Sequence, residues 1–168
     1  MGLDSTIEEL LDQMMEHSSL VKKHHRVLEF GCDNGIMLNY FKKYKLELFG
    51  VDINGKSIEA GHRHFPELNL VKSTGLEIPF RDDYFDVIFA SAVLKHIRYE
   101  DREKVYQEFS RVSKYIIVWG KNSEKKTVEE MGGFKFYHSN FKEELELFFH
   151  SNKIIEISDD ILGLYEKK

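Results

Sequence analysis

A chain of 168 residues, 42% apolar and 32% charged, is sized for a single domain that buries about 70% of its extended-chain surface, and it is too apolar for the disordered class. Its 29 acidic residues outnumber its 24 basic ones for a net charge of −5, so it lacks the positive field that drives nucleic-acid binding, and no nucleic-acid partner is expected. The one cysteine, Cys32, excludes an internal disulfide and a multi-cysteine zinc site, and no apolar run reaches the roughly 20 residues of a membrane span.

The chain opens on "STIEELLDQMM", where Ile7, Leu10, Leu11, Met14 and Met15 recur at helical spacing behind a Ser5-x-x-Glu8 capping box. This start is acidic and amphipathic, unlike a signal peptide, and with the reduced cysteine it points to a cytoplasmic protein with no membrane partner. Next, "RVLEF" reads as a buried strand and "GIMLNYFKKY" as a helix with Met37, Tyr40, Phe41 and Tyr44 on one face. The alternation repeats through the strand "LELFGVDI", the helix "KSIEAGHRHF" stopped by Pro66, the strand "NLVKST" and the loop "GLEIPFRDDY". It continues with the strand "FDVIFASA", the helix "YEDREKVYQEFSRVS" and the strand "KYIIVWG".

The polar stretch "KNSEKKTVEEMGG" reads as a mobile loop or excursion, and as a loop rather than a domain boundary. After it come the helix "NFKEELELFF" behind an Asn140-x-x-Glu143 capping box, and a terminal antiparallel hairpin formed by "KIIEIS" and "ILGLYEK". Apolar strands separated by helices predict an α/β fold with a doubly wound, mostly parallel sheet and helices on both faces. One domain is expected over 1–168, with 1–25 as N-terminal helix and lead-in and 26–168 as the cofactor-binding core.

The stretch most informative about function is "RVLEFGCDNG". A strand that ends in a glycine-bearing turn and opens a helix brings backbone close to a ligand and favours anionic groups at the helix start. A dinucleotide site needs G-x-G-x-x-G, but here Gly31 and Gly35 are separated by Cys32, Asp33 and Asn34. Glu29 at the strand's end repels a pyrophosphate and welcomes an ammonium group. Asp52, ending "LFGVD" one strand later, stands where an acid takes both hydroxyls of a ribose. An amino acid joined to a nucleoside satisfies both acids.

With "VLEFGCDNG", "GVD" and "IPFRDDYFDVIFASAVLKHI" followed by the terminal strand pair, the chain resembles the class I S-adenosylmethionine-dependent methyltransferases of the small-molecule type. The resemblance implies a Rossmann-like, seven-stranded sheet with an antiparallel C-terminal strand and S-adenosylmethionine as cofactor. It places Glu29 and the backbone of Gly31, Cys32, Asp33 and Gly35 at the methionine end, Asp52 on the ribose, Ile53 against the adenine, and Gly75 with Leu76 completing the adenine pocket. Ala90 and Ser91 would border the sulfonium and methyl, and Leu94 and His96 would follow on a turn facing the substrate. Asp33 replaces the family's second glycine, and Thr74 stands where many relatives carry an acid for the adenine amino group.

His96 is the candidate general base, weighed against a helix-surface or substrate-shaping role. His24 with His25, and His62 with His64 at i, i+2, do not share a helix face and are not read as metal ligands. Cys32 is read as a backbone donor whose side chain fills space. The expected function is methyl transfer to an unidentified, small acceptor. The alternative is a catalytically silent cofactor-binding module or partner subunit, and a nicotinamide dehydrogenase is disfavoured by the missing glycine.

Overall fold

The computed structural model describes Asp12 and residues 21–157 and 160–168. The helix expected near the N-terminus falls outside the described residues apart from Asp12, which is helical and accepts a hydrogen bond from the Tyr40 hydroxyl at 2.9 Å.

Among the described residues nine strands follow in chain order: β1 Arg26–Phe30, β2 Glu47–Asp52, β3 Asn69–Lys72, β4 Phe85–Ser91, β5 Ser113–Lys121, β6 Thr127–Met131, β7 Phe134–His138, β8 Phe149–Ile157 and β9 Asp160–Lys167. The helices are α1 Ile36–Phe41, α2 Gly55–His64, α3 Tyr99–Val112 and α4 Phe141–Leu145. Seven strands form one sheet in the order β3-β2-β1-β4-β5-β9-β8, parallel from β3 to β5, with β9 antiparallel to both its neighbours. This is the doubly wound sheet with an antiparallel C-terminal strand that the sequence predicts.

Successive residues of each strand serve opposite faces, which is why the strands read as unbroken apolar runs. Leu28, Phe30, Ile88 and Ile116 join α3 through Val105 and Phe109 in one core. Val27, Val87, Phe89 and Ile117 join α1 through Leu38 and Phe41 in the other. Local chemistry sets the helix ends. The Asn54 side chain caps α2 by accepting from the Lys56 and Ser57 amides, and α3 begins with Glu100 and Asp101 and ends with Arg111, matching its dipole. Asn140 caps α4 through the Glu143 amide as its spacing predicts, although the helix is shorter than the pattern implied.

One expectation is overturned. Much of the "KNSEKKTVEEMGG" loop is strand: β6 and β7 pair as a separate two-stranded sheet around Gly132 and Gly133. Both glycines have positive φ, 60° and 80°, as a two-residue hairpin turn of the primed kind requires. β6 is exposed along its whole length, so its composition looks like that of a loop. No helix among the described residues is long and apolar enough to cross a membrane.

Candidate functional site

In a parallel sheet, ligands settle beyond the carboxyl ends of strands where the strand order reverses. Here that point lies between β1, whose chain runs out to β2, and β4, which returns on the other side. A cleft of about 470 Å³ opens there, lined by Gly31, Asp52, Ile53, Thr74, Leu76 and His96 from the sequence-predicted set. Val93, Ile97, Arg98 and Asp101 complete its far wall, and the sequence did not point to them. Val93 follows Ala92, a non-glycine residue at φ 51° after β4, and that turn sends its side chain back over the β1 loop.

Gly31 adopts φ 78°, and a Cβ built on it would sit 2.4 Å from Val93 Cγ2. Gly35, at φ 80°, starts α1 without a side-chain cap. Between them Asp33 occupies the left-handed region at φ 47°, the conformation a glycine would supply more easily. Its amide donates to Asp52 Oδ2 at 2.9 Å, while the Asn54 amide donates to Asp52 Oδ1 at 2.8 Å. Two backbone donors from opposite sides thus fix the Asp52 carboxylate, and each oxygen keeps accepting capacity for a ligand.

The expectation that Cys32 offers its amide to a ligand is not met. The Gly31 and Cys32 amides both donate to the Val51 carbonyl, at 2.8 and 3.1 Å, and the Gly35 amide donates to the Cys32 carbonyl at 2.9 Å. The amides of Gly31, Cys32, Asp33 and Gly35 are therefore already engaged, and Gly31 presents bare Cα surface to the cleft. Cys32 itself is buried, with Sγ packed where a Gly50 Cβ would be, and burial first, then the Glu29 charge, pushes its thiol up, so it fills space and is not a nucleophile.

Glu29 is 2% exposed, and its Oε2 has no hydrogen-bond partner. Burial, then the Asp52 and Asp33 charges, raise its carboxyl to about 8, only partly offset by the Leu38 amide. It lies under the turn and does not line the cleft. Gly75, at φ 81°, does not line it either; a Cβ there would meet the Phe30 ring at 2.5 Å, so glycine at 75 is required by packing beneath the pocket. Ala90 is fully buried in the core and Ser91 half-buried, and Val93 takes the wall position expected of them. The Thr74 hydroxyl already accepts from the Leu76 amide at 3.3 Å.

His96 lies on the 3-10 turn Leu94–His96 after β4, exposed at the cleft wall. Partial burial, and then the Lys95 charge, lower its imidazole below the usual 6.5, so it is neutral at pH 7 and able to accept a proton. Its ring lies 5.1 Å from that of Phe136 on β7. The described residues contain no cluster of three or more metal-ligating side chains.

A methyltransferase-domain family model matches residues 28–115 of the chain. The fold superposes on the PH0226 protein of Pyrococcus horikoshii with a TM-score of 0.83 at 18% identity, covering 98% of this chain and 90% of that one. An S-adenosylmethionine-dependent methyltransferase from Methanosarcina mazei superposes at 0.75 with 16% identity over 99% of both chains. A TehB-like S-adenosylmethionine-dependent methyltransferase from Corynebacterium glutamicum superposes at 0.72 with 15% identity, covering 98% of this chain and all of that one.

Proposed function

The chain belongs to the methyltransferase-domain family, whose cofactor is S-adenosylmethionine, and we propose that it methylates a small molecule held on the His96 side of the cleft. The observation that carries the site assignment is Asp52, which lines the cleft at the end of β2 and is clamped by two backbone amides; behind the cleft wall Glu29 adds a buried acid with an orphan oxygen.

The residues fit the cofactor. A buried Glu29 acid with an orphan oxygen ionises when a cation comes to it, and the methionyl ammonium is such a cation. The bare Cα of Gly31 lets that end approach the β1 turn. Asp52 then accepts the ribose hydroxyls, and Ile53, an apolar side chain 65% exposed at the rim, covers the adenine together with Leu76. Bound in this way, S-adenosylmethionine supplies an activated methyl on a positively charged sulfur. The chain's own contribution is to hold the acceptor in line with that methyl and exclude water, and His96 is the group placed to take the acceptor's proton.

Replacing Asp52 tests the assignment. Asp52→Ala removes the ribose acceptor and frees the Asp33 and Asn54 amides, so S-adenosylhomocysteine is expected to bind roughly 10- to 100-fold more weakly by calorimetry, about 1.5–3 kcal/mol. Unchanged affinity in a folded variant removes Asp52 from the site.

Glu29 makes binding pH-dependent. Its folded-state carboxyl is raised, so in the free protein it stays protonated up to about pH 8, and the stability this confers is lost as pH rises through 8. A cationic ammonium favours the ionised form, so cofactor binding releases a proton. Affinity for S-adenosylhomocysteine is expected to climb between pH 6 and 8, by up to about tenfold per unit, and then level off. Glu29→Gln flattens that rise. A wild-type affinity that does not change with pH over this range separates Glu29 from the ammonium.

Asp33→Gly restores the residue usual in the family. It relieves a left-handed non-glycine residue and removes a negative charge near the ligand's carboxylate, while the amide that donates to Asp52 stays in place. Affinity is expected to hold or rise by a factor of about two, within what solvent screening allows, with the melting temperature measured separately. Loss of binding with an intact fold means that the Asp33 carboxylate itself contacts the ammonium.

A further inference from the structure

The β6–β7 hairpin packs through β7 against the turn that carries His96, beside the cleft. The Tyr99 hydroxyl lies 2.7 Å from both the Thr127 and the His138 carbonyl, tying down the base of both strands. Arg102, 3% exposed, donates to the Tyr137 carbonyl and the Ser139 hydroxyl of the hairpin's end. The same guanidinium donates to the Leu94 and Ile97 carbonyls on either side of His96, each at 3.1 Å, and to Glu144 Oε2 at 3.1 Å. One buried side chain therefore holds the hairpin to the turn that carries His96.

The strand register decides what the hairpin presents. Phe134 and Phe136 are two residues apart on β7 and so share a face, and Met131, paired with Phe134, shares it as well. Phe136 lies against His96, which lines the cleft, while Phe134 and Met131 remain 69% and 63% exposed. A strip of three apolar side chains thus continues outward from a cleft-lining imidazole. Its two exposed members offer on the order of 300 Å², well short of the roughly 800 Å² per partner of a stable protein interface, but ample for one or two fused rings. Lys95 lies 5.6 Å from the Phe136 ring, so an anion forming beside His96 meets positive charge.

Building on the methyltransferase assignment and on His96 as the proton acceptor, we propose that the methyl acceptor is a phenol or an arenethiol whose aromatic body lies along Phe136, Phe134 and Met131, with its O–H or S–H presented to His96. The acceptor's oxygen or sulfur forms its bond to the methyl carbon as the bond from that carbon to the sulfonium breaks. The bonding pair stays on the departing sulfur, leaving a neutral thioether, and the acceptor's proton passes to the imidazole. A neutral His96 suits this step, because an O–H or S–H nucleophile has a proton to give up.

The probe is 2-naphthol, titrated into the protein saturated with S-adenosylhomocysteine and followed by saturation-transfer NMR. The comparison is the double variant Phe134→Ser with Met131→Ser, at exposed positions whose loss leaves the core intact. Wild type is expected to bind 2-naphthol, and the double variant to bind it at least about tenfold more weakly with S-adenosylhomocysteine affinity unchanged. In turnover with labelled S-adenosylmethionine, 2-naphthol and 2-naphthalenethiol should be methylated and ethanolamine should not. Absence of 2-naphthol binding to the S-adenosylhomocysteine-bound protein overturns the proposal, as does equal binding by the variant. A wild type that is dimeric by light scattering, with a monomeric double variant, gives the strip to a second copy and overturns it too. Failure of S-adenosylhomocysteine itself to bind falls instead on the cofactor-site assignment.

Discussion

Gly31→Val is expected to abolish cofactor binding, with S-adenosylhomocysteine affinity falling by more than about 100-fold, on the order of 3 kcal/mol. Two independent constraints meet at this residue. Its φ of 78° disfavours any side chain and especially a β-branched one. A Cβ would also lie 2.4 Å from Val93 Cγ2 and 2.9 Å from Val93 Cβ, so Val93 would have to swing away and its wall of the cleft with it. Even a variant that relaxes enough to fold has therefore closed or displaced the space beside the β1 turn. Calorimetry on a variant with a native circular-dichroism spectrum checks this. Normal affinity would mean that the ligand does not approach Gly31.

Arg102→Ala is expected to lower stability by about 3–5 kcal/mol and the melting temperature by roughly 10 °C for a chain of this size. The guanidinium is 3% exposed, and its removal takes N–H donors from the Ile97 and Tyr137 carbonyls, the Ser139 hydroxyl and the Leu94 carbonyl, the last of which keeps the Ile97 amide at 3.1 Å. Glu144 loses its ion pair and keeps only the Tyr106 hydroxyl at 2.9 Å. A half-buried carboxylate with half its partners gone, beside stranded buried carbonyls, costs more than the pair itself contributes. Thermal denaturation reads the effect. A shift of less than about 2 °C, under 1 kcal/mol, would show that water or neighbouring donors replace the guanidinium without loss.

The parallel sheet was legible because its strands carry apolar residues on both faces. "RVLEF", "FDVIFASA" and "KYIIVWG" leave no solvent side, and the structure covers each on both. Asp52 and Gly31 were legible from the order strand, glycine turn, helix, strand, acid. The donors that hold Asp52 were not, because the Asp33 amide reaches it from 19 positions away and only the folded turn brings the two together. The hairpin was missed for the opposite reason. "TVEEM" is exposed throughout, so no burial pattern marks it, although the glycine pair followed by "FKFYH" was a hairpin signal. Arg102 lay in "YEDREK", which has the composition of a solvated helix face; it is buried only because β7 and α4 fold over it. Val93 had no sequence signal, since its place depends on the left-handed turn at Ala92.

The central claim is that the β1–β4 cleft holds an amino acid joined to a nucleoside and not a dinucleotide. Titrating S-adenosylhomocysteine and, separately, NAD into the wild-type chain by calorimetry tests it most directly. One-to-one binding of S-adenosylhomocysteine at micromolar affinity, about −8 kcal/mol, with no heat from NAD, is the predicted result. Heat from NAD with none from S-adenosylhomocysteine would contradict it.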